Sequence, residues 1–269
     1  MLRQAASRSS PPQPGDVIDA NRTRVQFDGL AREWRQRAAT RAGDDVIANV
    51  LLIMGASKGD AVSQAAARRW ADAQPDNSAP LLLSTDLPVD GMLQAAAARH
   101  YDSAYLPTLR WIRDALSAYP AEAQIRPSAG DAEPMTEHVH ATMLALELST
   151  GNAISAYSRI VGSCRADAPE VQTACRSVAT QLLDADTVLA RDWGRALMTQ
   201  LVGPDGEAAR KSAWTILVMQ RATAEHEELQ YTRLLDDASI RTEIDLQARI
   251  LSDAGLASAP PSDWMPATP

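Results

Sequence analysis

The chain has 269 residues, with 26 Lys and Arg against 34 Asp and Glu, a formal charge of −8 and a pI near 5.0. It is 45% hydrophobic but only 4% aromatic, with a single Phe; that mix favours close-packed helices of Ala and Leu over strands, which take Val, Ile, Tyr, Phe and Thr. The acidic balance argues against a nucleic-acid partner, because such binders neutralise phosphates, and no stretch approaches the roughly 20 apolar residues of a membrane span.

Residues 1–20, rich in Ser, Pro and Arg, read as a disordered tail. They lack the apolar run of about 7–15 residues that a secretory signal needs. As written, the expectation is a cytoplasmic protein, or a periplasmic one if the true start lies upstream. Residues 1–43 hold eight Arg and no Lys against four acids, a balance of +4 that leaves −12 for the remainder. Exposed pairs between the two parts are worth only roughly 0–1 kcal/mol each.

A single helical domain is expected over 21–256. Residues 46–54 are apolar nearly all round and suit either a buried strand or a buried helix. A turn at 55–60 and a second helix over Ala61–Ala73 follow, closed by Gln74-Pro75-Asp76-Asn77. Tyr105, Leu109, Ile112, Leu116 and Tyr119 then recur in steps of 4, 3, 4 and 3, which places them on one helix face. The irregular stretch 119–134 marks a soft division. Val178, Leu182, Ala185, Leu189, Trp193, Leu197 and Leu201 repeat the helical spacing, with Asp184-Ala185-Asp186-Thr187 as a potential break into two helices. Further on, Ala209, Ala213, Ile216, Leu217, Gln220 and Ala224 form one side of a long helical stretch. Ile240, Ile244, Ala248 and Leu251 form another stripe, stopped by Gly255 as a C-terminal cap. Four prolines make 257–269 a loose tail, with Trp264 as its anchor. The expected fold class is all-α, about ten helices, and the short connections between them make sequential helices antiparallel neighbours.

Within this pattern, residues 44–80 open with Asp44-Asp45 and form helix, Gly-Asp turn, helix and Pro-Asp-Asn turn, with the small Ala65, Ala66 and Ala67 beside the large Trp70. The window resembles a tetratricopeptide-repeat unit, in which small residues let paired helices approach while a large one fills the groove. That resemblance implies a right-handed solenoid of stacked hairpins with a curved binding surface. The segments at 81–83 and 89–100 follow as a degenerate second unit. More loosely, the chain looks like a set of uncharacterised helical bacterial proteins, which implies no activity.

Candidate sites are sparse. Cys164 and Cys175 flank Pro169, where one helix ends and the next begins, so they either form a disulfide across a helical hairpin or remain buried thiols; metal or redox chemistry is a third option. Glu137-His138-Val139-His140 contains one Glu-x-x-His, but carboxylate-bridged metal bundles need two. Glu225-His226-Glu227-Glu228 lacks the second His of a zinc protease, since position 230 is Gln230. Asp236-Asp237 lacks the third carboxylate of a magnesium motif. Gly55-Ala56-Ser57-Lys58-Gly59 matches the nucleophile elbow of α/β-hydrolases, but no set of further strands supports it, and a hairpin turn explains the same residues. No cofactor motif is present.

Five tryptophans, Trp34, Trp70, Trp111, Trp193 and Trp214, are spread one per region, as packing anchors would be. Trp111 lies off the 105–109–112–116 stripe, and with Tyr101 and Arg110 it forms the candidate partner-binding set. The expected function is therefore a non-catalytic protein- or peptide-binding module, in one variant an immunity or inhibitor protein, whose acidic body selects a partner with a basic patch. The alternative is a helical enzyme or small-ligand carrier with a site assembled from scattered Glu, His and Arg.

Overall fold

The computed structural model describes residues 29–54, 56, 59–84, 86–118, 137–165, 168–203, 205–223 and 232–265. The chain divides into two units, Met1–Gly43 and Asp44–Pro269. In the first, residues 29–41 form a helix in which Arg37 pairs with Glu33 one turn earlier and lies 5.4 Å from the centre of the Trp34 ring. The tail expected over 1–20 and the division expected over 119–134 lie outside the described residues.

The second unit is built from α-helices, with no strand among the described residues. In chain order they are α1 (Val46–Ile53), α2 (Ala61–Ala73), α3 (Ala79–Leu83), α4 (Val89–Ala97), α5 (Tyr105–Ala118), α6 (Glu137–Ser163), α7 (Pro169–Leu183), α8 (Val188–Val202), α9 (Gly206–Thr223) and α10 (Glu243–Asp253). Chain neighbours pack together as hairpins: α1 on α2, α5 on α6, α7 on α8, α9 on α10. Packing also joins α1 to α5, α3 to α6 and α4 to α7, which goes beyond the nearest-neighbour stacking of a solenoid.

The ambiguous segment 46–54 is a helix because Asp45 caps it, its Oδ1 accepting from the Ala48 N–H at 3.0 Å. Asp60 caps α2 the same way, through the Ser63 N–H at 2.7 Å. Being packed between α2 and α5 explains why α1 is apolar on more than one side. Ala66, Ala67 and Trp70 of α2 are buried, and the Trp70 indole donates to Gln74 Oε1 at 2.9 Å. On α5, Leu109 and Ile112 are buried among Ala145, Leu235, Leu246 and Ile250, with Tyr105 and Leu116 packed against that cluster. Tyr119 lies outside the described residues.

Two expected faces are partly rotated, although Ile240 and Leu251 of the last stripe are buried as expected. In α10 the buried residues are Leu246, Ile250 and Leu251, while Ala248 is exposed and Ile244 half-buried. In α9 Val218 is the fully buried residue, whereas Ala209 and Ile216 are exposed. Ile216, Ile244 and Ala248 instead line a wide groove of about 510 Å³ formed by α8, α9 and α10. The C-terminal segment expected to be loose is strapped to α9 as far as it is described. Trp264 meets Trp214 edge-on at 5.1 Å, the Trp214 indole donates to the Ala257 carbonyl at 2.9 Å, and Arg210 donates to the Pro261 carbonyl at 2.9 Å. No described helix is long and apolar enough to cross a membrane.

The break at Asp184 to Thr187 turns the chain from α7 into α8, and Thr187 caps the new helix through the Ala190 N–H at 3.2 Å. The two helices meet at Gly194, where an added Cβ would stand 2.8 Å from the Leu183 nitrogen and 2.9 Å from the Leu182 carbonyl carbon. Cys164 and Cys175 join the end of α6 to α7 in a disulfide, their Cα atoms 5.8 Å apart.

Two stability measurements follow from this packing. Gly194→Ala gains about 1 kcal/mol of helix propensity but forces backbone apart, so a net loss of about 1–3 kcal/mol is expected in urea unfolding; a stabilised variant would show that α7 and α8 separate freely. Replacing both cysteines by Ser should lower stability by about 2–3 kcal/mol relative to the oxidised chain, and equal unfolding midpoints would show that the bridge does not constrain the unfolded state.

Candidate functional site

Between α4 and α5 the chain runs without regular structure, and its backbone groups are met by side chains and loops from elsewhere. The Arg99 and His100 N–H groups donate to the Asp76 carbonyl at 2.9 and 3.2 Å, and Ser78 N–H donates back to the His100 carbonyl at 2.9 Å. Asn77 uses its whole amide. Oδ1 accepts from the Ala79 and Asp102 N–H groups, both at 3.0 Å, while Nδ2 donates to the Asp102 carbonyl at 2.8 Å and to Gln74 Oε1 at 2.9 Å. Asp186, in the α7–α8 turn, holds the other side by accepting from Ser103 N–H at 2.9 Å, Ser103 Oγ at 2.7 Å and Tyr105 N–H at 3.4 Å. Between these clamps Ala104 takes φ +53°, a left-handed conformation rare for a residue with a Cβ.

So held, the segment places Tyr101 and Ser103 in the wall of a cavity of about 220 Å³. Val50 and Ile53 of α1, Met54 after it, Trp70, Leu83 and Leu189 supply an apolar lining; Thr108, Tyr157, Arg159, Thr187 and Glu243 add polar groups. The Tyr101 and Tyr157 hydroxyls lie 3.1 Å apart, and the Tyr157 ring stacks on Trp193 with centroids 5.6 Å apart. Burial pushes the Tyr101 phenol well above its ordinary value and Tyr157 up to about 12, so both stay protonated. Glu243 accepts from Val188 N–H at 2.8 Å, and burial raises its carboxyl above the usual range, with Asp186 and Asp192 adding to the effect. Among the described residues, Thr108 Oγ1 and Arg159 Nε in this wall are buried with no hydrogen-bond partner. The arrangement can enclose a compact molecule, give its apolar part several walls and offer hydroxyl, guanidinium and carboxyl groups to its polar part.

The three residues expected to meet a partner do not converge. Tyr101 is only 3% exposed and faces the interior. Arg110 is committed to the fold, donating to the carbonyls of Leu235 at 2.7 Å, Asp237 at 2.9 Å and Ile240 at 2.7 Å, so it holds the turn before α10. Trp111 alone is a surface side chain, 52% exposed. Cys164 and Cys175 are paired with each other and are neither thiols nor ligands. Among the described residues no three His, Cys, Asp or Glu gather to hold a metal. The side chains of Glu137 and His138, Ser57 and Lys58 of the elbow-like turn, and the whole of Glu225 to Glu228 lie outside the described residues.

Sequence reasoning missed Asp186, Tyr157 and Arg159. Asp186 was visible only as part of a helix break. Burial pushes its carboxyl up to about 6, against the lowering effect of the Ser103 and Tyr105 donors. The protonated acid can still donate to the Ser103 hydroxyl, which turns over to accept. Because the folded value lies above the unfolded one, about 3.9, the native state holds the proton more tightly. The resulting stability is full below about pH 4 and lost as pH rises through 6, by about 2–3 kcal/mol in all. Thermal unfolding should therefore show wild-type stability falling between pH 4.5 and 7, with Asp186→Asn lacking that part of the slope; identical slopes would remove the assignment. Compared with protein-family models, curated proteins and solved structures, the chain finds no match in any of the three.

Proposed function

We propose that this chain binds a small molecule in the cavity beneath residues 99–104. What carries the reading is the cavity of about 220 Å³ itself, in which the apolar side chains of Val50, Ile53, Met54 and Leu83 share the wall with the polar groups of Tyr101, Tyr157, Arg159 and Glu243. An apolar cavity of about 150 Å³ takes a benzene, so the occupant is a ring or short branched chain with a small polar group. The role proposed is that of a carrier or sensor. The Cys164–Cys175 bridge suits an oxidising compartment.

A protein-binding role, the first expectation from the sequence, keeps the exposed Trp111 and the acidic charge as its support. A small-molecule site draws on more of the described residues. It also keeps part of the alternative expectation, a site of scattered Glu and Arg, now with Glu243 and Arg159 in those places.

Benzyl alcohol is a neutral probe of the right size. At about 0.5 kcal/mol per non-hydrogen atom it should bind with about 4 kcal/mol, a Kd near 1 mM. In a carbon-13 methyl NMR titration of the full chain, the methyls of Val50, Ile53, Met54, Leu83 and Leu189 should shift together and saturate. Shifts that are absent at about ten times that concentration, or scattered over the surface, would defeat the proposal.

A further inference from the structure

Three guanidinium groups in the second unit are provided for very differently. Arg110, half-buried, has three carbonyl acceptors. Arg113, buried, has the carboxylates of Asp114 and Asp236, both at 2.8 Å. Arg159, the cationic group among the described cavity residues, has one carbonyl, that of Ser84 at 2.8 Å from Nη2. Its Nε has no acceptor among the described residues and is sealed from the cavity as well as from solvent, so a ligand meets the guanidinium at its outer nitrogens. Among the described residues no carboxylate stands within ion-pair distance of it; Asp86 acts on its charge from farther off while accepting from Gln64 Nε2 at 2.7 Å. Burial lowers the pKa of Arg159, as it does that of Arg110.

The acidic group in the same wall has a partner in the protein: Glu243 accepts the Val188 N–H at the first residue of α8, where the helix dipole favours a negative charge, although burial raises its pKa. A neutral or cationic ligand would leave Arg159 with its one carbonyl, while an incoming carboxylate would supply the opposite charge that Arg159 lacks among the described residues, in the planar geometry a guanidinium matches.

Resting on the reading of the cavity as a small-molecule site, we propose that its ligand is a compact carboxylic acid bound as the monoanion, with the carboxylate on the Arg159 guanidinium and an aromatic or branched aliphatic body against Val50, Ile53, Met54 and Leu83. The cavity volume limits the body to about the size of a benzene ring. A dianion is disfavoured by Glu243 in the same wall.

The test compares three probes of one size and different charge, benzoate, benzyl alcohol and benzylammonium, by methyl NMR titration of the full chain at pH 7.5. Benzoate should bind at least tenfold more tightly than benzyl alcohol, and benzylammonium more weakly than either. Arg159→Met should bring benzoate down to the level of benzyl alcohol while leaving benzyl alcohol within twofold, which also shows the variant to be folded. Benzyl alcohol binding as tightly as benzoate, benzylammonium binding tightest, or benzoate indifferent to Arg159→Met would each overturn the carboxylate assignment and leave the cavity reading standing. Failure of all three probes would bring down the cavity reading as well. The order of the three on the unaltered chain needs no variant, so the inference stays exposed even if Arg159→Met does not fold.

Discussion

Backbone N–H and C=O groups taken from water must find partners, and the run from Arg99 to Ala104 has no helix of its own to provide them. Asn77 and Asp186, 2% and 8% exposed, meet that need from two sides. Asn77 makes all four hydrogen bonds its amide allows. Asp186 accepts three donors from Ser103 and Tyr105 and so also closes the start of α5. Because the anchors belong to the α2–α3 turn and the α7–α8 turn, the segment fixes the distance between early and late parts of the unit. The cavity is the space left where that distance is set by polar bonds and not by side-chain packing.

The same device recurs at other joints. Gln181 and Ser177 of α7 reach the open carbonyls at the end of α4, Gln181 Nε2 at 3.1 Å from Ala95 and 2.8 Å from Ala98, and Ser177 Oγ at 2.7 Å from Ala96. Arg110 does this for the turn before α10, and Arg210 for the segment after Gly255. Such bonds have direction, whereas burial of Ala and Leu does not. In a chain whose helices carry so many Ala, side chains of one size, these polar joints select one packing among several of similar hydrophobic gain.

Helix positions were readable because caps and periodicity are local. Asp45, Asp60 and Thr187 act within three residues of their own position, and the α5 stripe of Leu109 and Ile112 needs only one turn to the next. The buried faces of α9 and α10 were only partly readable, through Leu251 and, just before α10, Ile240. Ala sits equally well inside or outside, so a stripe containing Ala209, Ala213 and Ala248 has weak directional content, and Val218, Leu246 and Ile250 decided the matter through contacts made elsewhere in the chain. The site was hidden for a related reason. Arg110 meets carbonyls more than a hundred positions away, and Asp186 meets Ser103 across 83 positions, separations at which no spacing rule operates. Tyr101, expected at a partner-binding surface, is buried, since a phenol suits a wet rim and a bonded interior alike.

Four features that cost stability lie in the cavity wall or in the contacts that hold the segment above it. Ala104 is the described residue other than glycine with positive φ, a conformation that costs about 1 kcal/mol or more. Asp186 is a desolvated carboxyl, Thr108 a buried hydroxyl without a partner, and Arg159 a guanidinium with one acceptor. Each is repairable by a substitution available to any chain: Gly at 104, Val at 108, Met at 159. Thr108 and Arg159 line the 220 Å³ space, and Asp186 and Ala104 hold the segment that brings Tyr101 and Ser103 into its wall. Sealed polar atoms also occur outside that wall, on Ser63, Arg69, Ser117 and Gln181, so the cost is shared between the cavity and the polar joints of the helices.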